Sequence, residues 1–367
     1  MSDVPATAVS EAARKDGILR RVINAVGVDN LSLLLALVLV IFVVYLQQPL
    51  FLSWQNLMNS LAQSIVIVGL MAIGETVVII AGGLDISVGS VASVASVTAA
   101  IAVTSGLFGI LPAGSMQLGL ITGIVTGLIL GTGNGLIVTI LRVNPIIATL
   151  GTLAAYAGLA FLVAPGGKPV GVITQPDFTW LGSGRFVDSL PIPLLGGSPW
   201  TGIPVLFVIL LVVTILVHIL MKYMDFGRAI YAIGGNATAA RLAGINVTRV
   251  KITMYALSGG IAGLAGVLLT GRTTSGNPIN GVGFELQAIT AVFLGGAATT
   301  GGKGTIVGTV LAFILVGVLN NGMNLIGINT YYQKVALGGL LIGAVAVAQW
   351  RQARAERART RIAAASA

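Results

Sequence analysis

Ile203-Pro204-Val205-Leu206-Phe207-Val208-Ile209-Leu210-Leu211-Val212-Val213-Thr214-Ile215-Leu216-Val217-His218-Ile219-Leu220-Met221 contains no acid, lysine or arginine. A helix needs about 20 mainly apolar residues to cross the hydrocarbon of a bilayer. Similar runs lie at Leu31–Leu46 and near 60–81, 87–107, 117–141, 145–164, 252–271, 286–300, 305–325 and 335–350. The run at 286–300 ends in crowded glycines and threonines. Together they predict an all-α polytopic membrane protein with about ten transmembrane helices.

Composition supports that reading. Of 367 residues, 56% are hydrophobic, 8% charged and 6% aromatic, and 50 are glycine. Soluble domains carry about 25% charged residues, so a soluble globular enzyme and a disordered chain are excluded, and zero cysteines exclude a disulfide scaffold and a thiolate site. Abundant glycine lets membrane helices approach closely. The Leu31–Leu46 run ends in Gln47, Gln48 and Pro49 without a small-residue cleavage pattern, which favours an uncleaved anchor over a signal peptide.

Ten spans place both termini on one side. That side then holds Arg14, Lys15, Arg20, Arg21, Arg142, Lys222, Arg228, Arg241, Arg249, Lys251, Lys303, Arg351, Arg354, Arg357, Arg359 and Arg361. The other side holds Lys168, Arg185, Arg272 and Lys334. By the positive-inside rule both termini are cytoplasmic. The chain divides into a basic N-terminal segment at 1–30, a transmembrane domain at 31–350 and a basic tail at 351–367, with an outer, periplasmic loop at 164–203 and a cytoplasmic loop at 222–251. The +9 formal charge reads as a topology signal that also favours anionic lipid headgroups. Nucleic acid is not expected as a partner, since no base-reading motif accompanies the arginines.

The outer loop carries Asp177, Trp180, Arg185, Asp188 and Trp200 and reads either as a solvated connector or as a docking surface. In the inner loop Asn236 suits an N-cap and Gly244 a C-terminal stop, enclosing Ala237, Ala239, Ala240, Arg241, Leu242 and Ala243 in about two helical turns. Such a helix is marginal alone. It either packs on its own bundle or presents a knob to a soluble partner. Val77–Gly83 and Ala291–Gly296 also echo each other, each an apolar run closing on a glycine pair before a polar turn.

Three acids fall at membrane depth: Glu75, Asp85 and Glu285. Asp85 lies in the break Gly82-Gly83-Leu84-Asp85-Ile86-Ser87-Val88-Gly89, placed to cap the following helix with a second local bond from Ser87; the rival role is a proton or cation relay. Glu75 lies two turns before the break, and Glu285 is expected at the outer interface. His218 near the end of its span is expected to snorkel. Amides interrupt several spans: Gln63, Asn134, Gln287, Asn320, Asn321 and Asn324. They suit either interhelical bonding or a path for a neutral, hydroxyl-rich solute. No metal site is expected. A His-Glu-x-x-His site, a nucleophile elbow and a Walker A loop are all missing, and Gly301-Gly302-Lys303-Gly304-Thr305 reads as a tight turn.

The stretch Gly82 to Ser90, the segment Gly227-Arg228 with Tyr231 to Asn236, Ala239-Ala240 and Ala243-Gly244-Ile245, and the runs Ala291 to Gly296 and Val318 to Gly322 resemble the membrane permease subunits of bacterial ribose-type ABC importers. The resemblance runs from about Leu50 to Trp350. A related branch imports branched-chain amino acids and lacks this form of the aspartate stretch. The resemblance implies two permease subunits, alike or different, around a central path in the inner membrane. It implies cytoplasmic ABC ATPase subunits, which bind the ATP, gripping a coupling helix at Asn236–Gly244, and a periplasmic or lipid-anchored sugar-binding protein at the outer face. The chain itself would hold no cofactor and catalyse nothing. The competing class is an ion- or proton-coupled secondary transporter using Glu75 or Asp85.

Overall fold

The computed structural model describes residues 28–106, 113, 115–187 and 201–365. The basic groups Arg14 to Arg21 of the 1–30 segment, and Asp188 and Trp200 of the outer loop, lie outside them. The chain is helical almost throughout. Helix α1 is Val28–Gln47, α2 is Ala62–Ile80 after a π-helical turn at Asn56–Leu61, and α3 is Val88–Ser105. Then follow α4 Met116–Thr139, α5 Pro145–Val163 and the short outer helix α6 Pro176–Ser183. Strands β1 Arg185–Phe186 and β2 Ile203–Pro204 pair antiparallel. Helices α7 Val205–Tyr223, α8 Asp225–Gly235, α9 Ala237–Leu242 and α10 Val247–Thr273 come next. The chain closes with α11 Phe284–Leu294, α12 Ile306–Leu325 and α13 Thr330–Ala365.

Among the described residues nine helices are long and apolar enough to span a bilayer. The tenth expected span, 286–300, is the eleven-residue α11. At 1.5 Å per residue it is about 16 Å long, half the hydrocarbon thickness. Gly295 and Gly296 stop it, Gly296 at φ +88°. The chain reaches its start as irregular backbone laid along α3: the Gly281 N–H donates to Ser93 Oγ (2.9 Å), and Asn280 Nδ2 to Ser96 Oγ (3.0 Å). Non-helical backbone survives at membrane depth because protein, not lipid, surrounds it. Glu285 is therefore not at the outer interface. It is buried against Gly89 at the first turn of α3, and its carboxylate accepts from the Gly283 N–H at 2.9 Å.

Burial orders the bundle radially. The span containing α2 is 89% buried, against 11% for α1 and for α13. The most buried spans are those of α2, α3 and α10, followed by α12. Helices α4 and α10 meet along glycines: a Cβ on Gly127 would fall on the carbonyl oxygen of Gly259, one on Gly259 on that of Gly127, and one on Gly263 on that of Gly123. The backbones touch with no side chain between them. In lipid, where the hydrophobic effect does not drive helices together, such contact supplies van der Waals attraction and weak Cα–H···O bonds.

Candidate coupling and translocation site

The glycine pair after α2 reverses the chain, with Gly82 at φ +76°. The break then climbs back beside α2, so that the Asp85 N–H donates to Glu75 Oε1 at 2.8 Å. Glu75 is five residues, about 7.5 Å, up the helix from Ile80. Asp85 is wholly buried. Its Oδ1 accepts from the Ser87 N–H (3.0 Å) and from Ser87 Oγ (2.6 Å). Asn134 Nδ2 of α4 donates to both Asp85 oxygens (3.2 Å each) and to Ser87 Oγ (2.7 Å). From α5, Thr149 Oγ1 donates to the Leu84 carbonyl at 3.2 Å. Asp85 thus pins the entry to α3 from two residues before its N-cap, Ser87, and ties it to α2 and α4. Gly83 has no room for a side chain, since a Cβ there would lie 2.9 Å from the Tyr255 hydroxyl.

Replacing Asp85 with alanine leaves the Ser87 N–H and one of the two Asn134 amide hydrogens buried without their acceptor, while the other keeps Ser87 Oγ. Each orphaned group costs about 1–3 kcal/mol. The expected outcome is a clearly lower thermal transition of the purified chain, largely restored in Asp85→Asn. An unchanged transition with lost transport would make Asp85 a relay instead.

The amides separate into distinct places. Asn134 is occupied by the break. Asn321 and Asn56 exchange reciprocal side-chain bonds at 2.9 and 3.1 Å. Asn324 is exposed and accepts from Gln333 Nε2 at 2.8 Å. Asn320 and Gln287 line a cavity of about 240 Å³ with Ser64, Arg272, Phe284 and Phe313. Gln63 sits next to Ser64, and its carbonyl accepts from Arg272 at 3.1 Å. Glu75 is buried beside the break, and its Oε2 has no partner among the described residues. Ser64, Arg272 and the two phenylalanines carried no sequence signal, because cavity lining comes from four different helices.

At the opposite end, α9 matches the expected short helix. The Asn236 side chain accepts from the N–H groups of Thr238 and Ala239, both at 3.0 Å, and Gly244 adopts φ +87° after its last turn. Ala240 is buried, packing with Ile233 and Val247, so it faces the protein and not a partner. Ala239, Arg241, Ala243 and Gly244 are exposed, Ala237 is half-buried, and Leu242 is 85% exposed. A solvent-facing leucine on a six-residue helix is the most conspicuous apolar group of this knob.

The knob has a seat. Helix α8 ends in Gly234-Gly235, and a Cβ on Gly234 would fall on the Ile80 carbonyl at the end of α2. That same carbonyl accepts from the Gly302 N–H at 2.8 Å. A Cβ on Gly302 would in turn lie 3.0 Å from Gly235, and one on Gly301 2.7 Å from the Gly82 nitrogen. Tyr231 Oη donates to the Gly304 carbonyl at 2.9 Å, and burial pushes its hydroxyl pKa up, so it stays a neutral donor. The glycine pair that ends the first of the two echoing runs therefore meets the polar turn that follows the second, and α8 rests beside both. Helix α9 packs on α8 through Ala240 and Ile233, and α8 touches the end of α2 and the turn between α11 and α12 backbone to backbone.

Residues 56–345 match the family described as branched-chain amino acid transport system / permease component. The chain belongs to this family of transport permeases. The permease is 37% identical over 317 residues to the ribose import permease of Bacillus subtilis (strain 168), covering 86% of this chain and 92% of that one. It is 38% identical to the Escherichia coli (strain K12) ribose import permease, covering 87% and 93%. It is 34% identical to the D-allose transport permease of the same strain, covering 86% and 89%. No solved structure matches the permease.

Proposed function

We propose that this chain is the membrane-spanning permease subunit of an ATP-driven importer for a monosaccharide or related polyhydroxylated solute in a bacterial inner membrane. The relatives named for ribose and D-allose support the solute class. The observation that carries the coupling is the seat of α8 and α9 on Ile80 and Gly302. In this reading both termini and α9 are cytoplasmic, and two permeases pair around the path. Separate ATPase subunits grip α9, and a binding protein delivers solute to the outer end, where Arg185, Arg272 and α6 lie. The cavity of Ser64, Arg272, Gln287 and Asn320 lies on the path, since hydroxyls need both donors and acceptors, and flanking phenylalanines suit a sugar's apolar face.

A second reading rests on the unpartnered Glu75 oxygen: a carrier coupled to an ion or proton through Glu75 or Asp85. Uptake of labelled D-ribose and D-allose into vesicles holding the chain with its ATPase and binding protein separates the two. The importer requires ATP and is indifferent to collapse of the proton gradient. Uptake that collapses with the gradient at constant ATP supports the carrier.

A further inference from the structure

A second cavity, of about 800 Å³, opens between α1, α12 and α13, above the turn that joins α11 to α12. Its walls are mostly apolar, with Leu33 and Val40 of α1, Phe293 of α11, Leu315 and Leu319 of α12, and Leu340 and Val347 of α13; Ser32, Thr300 and Lys303 are its polar side chains. Gly339 and Gly343 widen it, and a side chain added at either would meet nothing within 4 Å. A hydroxyl-rich solute would lose its hydrogen bonds here, so this groove is not part of the sugar path. Its lining runs from Ser32 to Val40 on α1 and from Gly339 to Val347 on α13, about 12 Å of helix, close to the about 15 Å of hydrocarbon in one leaflet.

The mouth carries charge of one sign. Lys303 lines it, is exposed, and forms no ion pair among the described residues. A largely apolar slot about one leaflet deep, with an exposed lysine at its mouth, matches an anionic amphiphile. We propose that this groove is a binding site for an anionic phospholipid, one acyl chain lying between α1 and α13 and the phosphate meeting Lys303. The lipid would brace the two outer helices over the turn on which α8 rests, the turn through which the coupling movement passes.

The test is native mass spectrometry of the full chain, extracted with its partner subunits and exchanged into micelles doped with phosphatidylglycerol or phosphatidylcholine. Phosphatidylglycerol is expected to be retained about tenfold better. Lys303→Glu should remove that preference, and Gly343→Phe should reduce retention of both lipids by filling the slot. Equal retention of the two headgroups, unchanged in Lys303→Glu, overturns the proposal. The chain has no cysteine, so Gly343→Cys also provides a clean probe. A disulfide between two copies at that position, formed in membranes, would put a second permease in the groove and overturn it as well.

Discussion

Replacing Gly127 with leucine is expected to prevent the bundle from closing. A Cβ at that position would fall on the Gly259 carbonyl and lie 2.9 Å from the Gly263 Cα. Those neighbours are backbone atoms of a 27-residue helix, and no rotamer change can move them aside. Overpacking an ordinary core costs about 1–3 kcal/mol, and here a whole helix pair must separate. The loss should exceed that range, and folded chain should be absent or melt far below the parent. The matched control is Gly158→Leu on α5, where an added side chain meets nothing within 4 Å. It should leave the transition unchanged or raise it slightly, since leucine is about 0.5–1 kcal/mol better than glycine in a helix. Equal melting of the two variants would contradict the close α4–α10 contact.

Leu242→Asp should uncouple the permease without unfolding it. Leu242 is 85% exposed and packs on nothing that holds the bundle together. An apolar anchor at a protein interface contributes about 2 kcal/mol or more, which is about thirtyfold in affinity. The ATPase subunits should separate from the variant during size-exclusion chromatography, and ATP-driven uptake should fall at least tenfold. The thermal transition of the isolated chain should stay in place. Ala240→Arg should behave differently, because Ala240 fills the small core with Ile233 and Val247. It should loosen the knob itself. Leu242→Asp with a full complement of ATPase and normal uptake would remove α9 from the coupling role.

Reading the residues in order was enough for the helices and the knob. Long apolar runs can only span a bilayer as helices, and the Asn236 cap with the Gly244 stop is a local signal that tertiary contacts reinforce. Local signals failed where one span had to be told from half of one. The run at 286–300 is apolar because it is buried, and hydropathy does not distinguish burial in protein from burial in lipid. Glu285 was misplaced by the same error, since its depth depends on where the preceding irregular segment enters the bundle. The amides were equally ambiguous. Asn134, Asn321 and Asn320 are alike as letters, yet one holds Asp85, one pairs with Asn56 and one lines a cavity.

The sequence by itself determined that this chain is a helical membrane protein, where its polar breaks fall, and that a capped two-turn helix interrupts its inner loop. These follow from hydrophobic length and from hydrogen bonds made within a few residues. Packing in three dimensions shows that the turn after α2 meets the Gly301–Gly302 turn, that α8 rests beside both, and which helices touch backbone to backbone. Those contacts join residues far apart in the chain: glycines recur at every fourth position from Gly119 to Gly135, but that spacing does not name the helix that meets them.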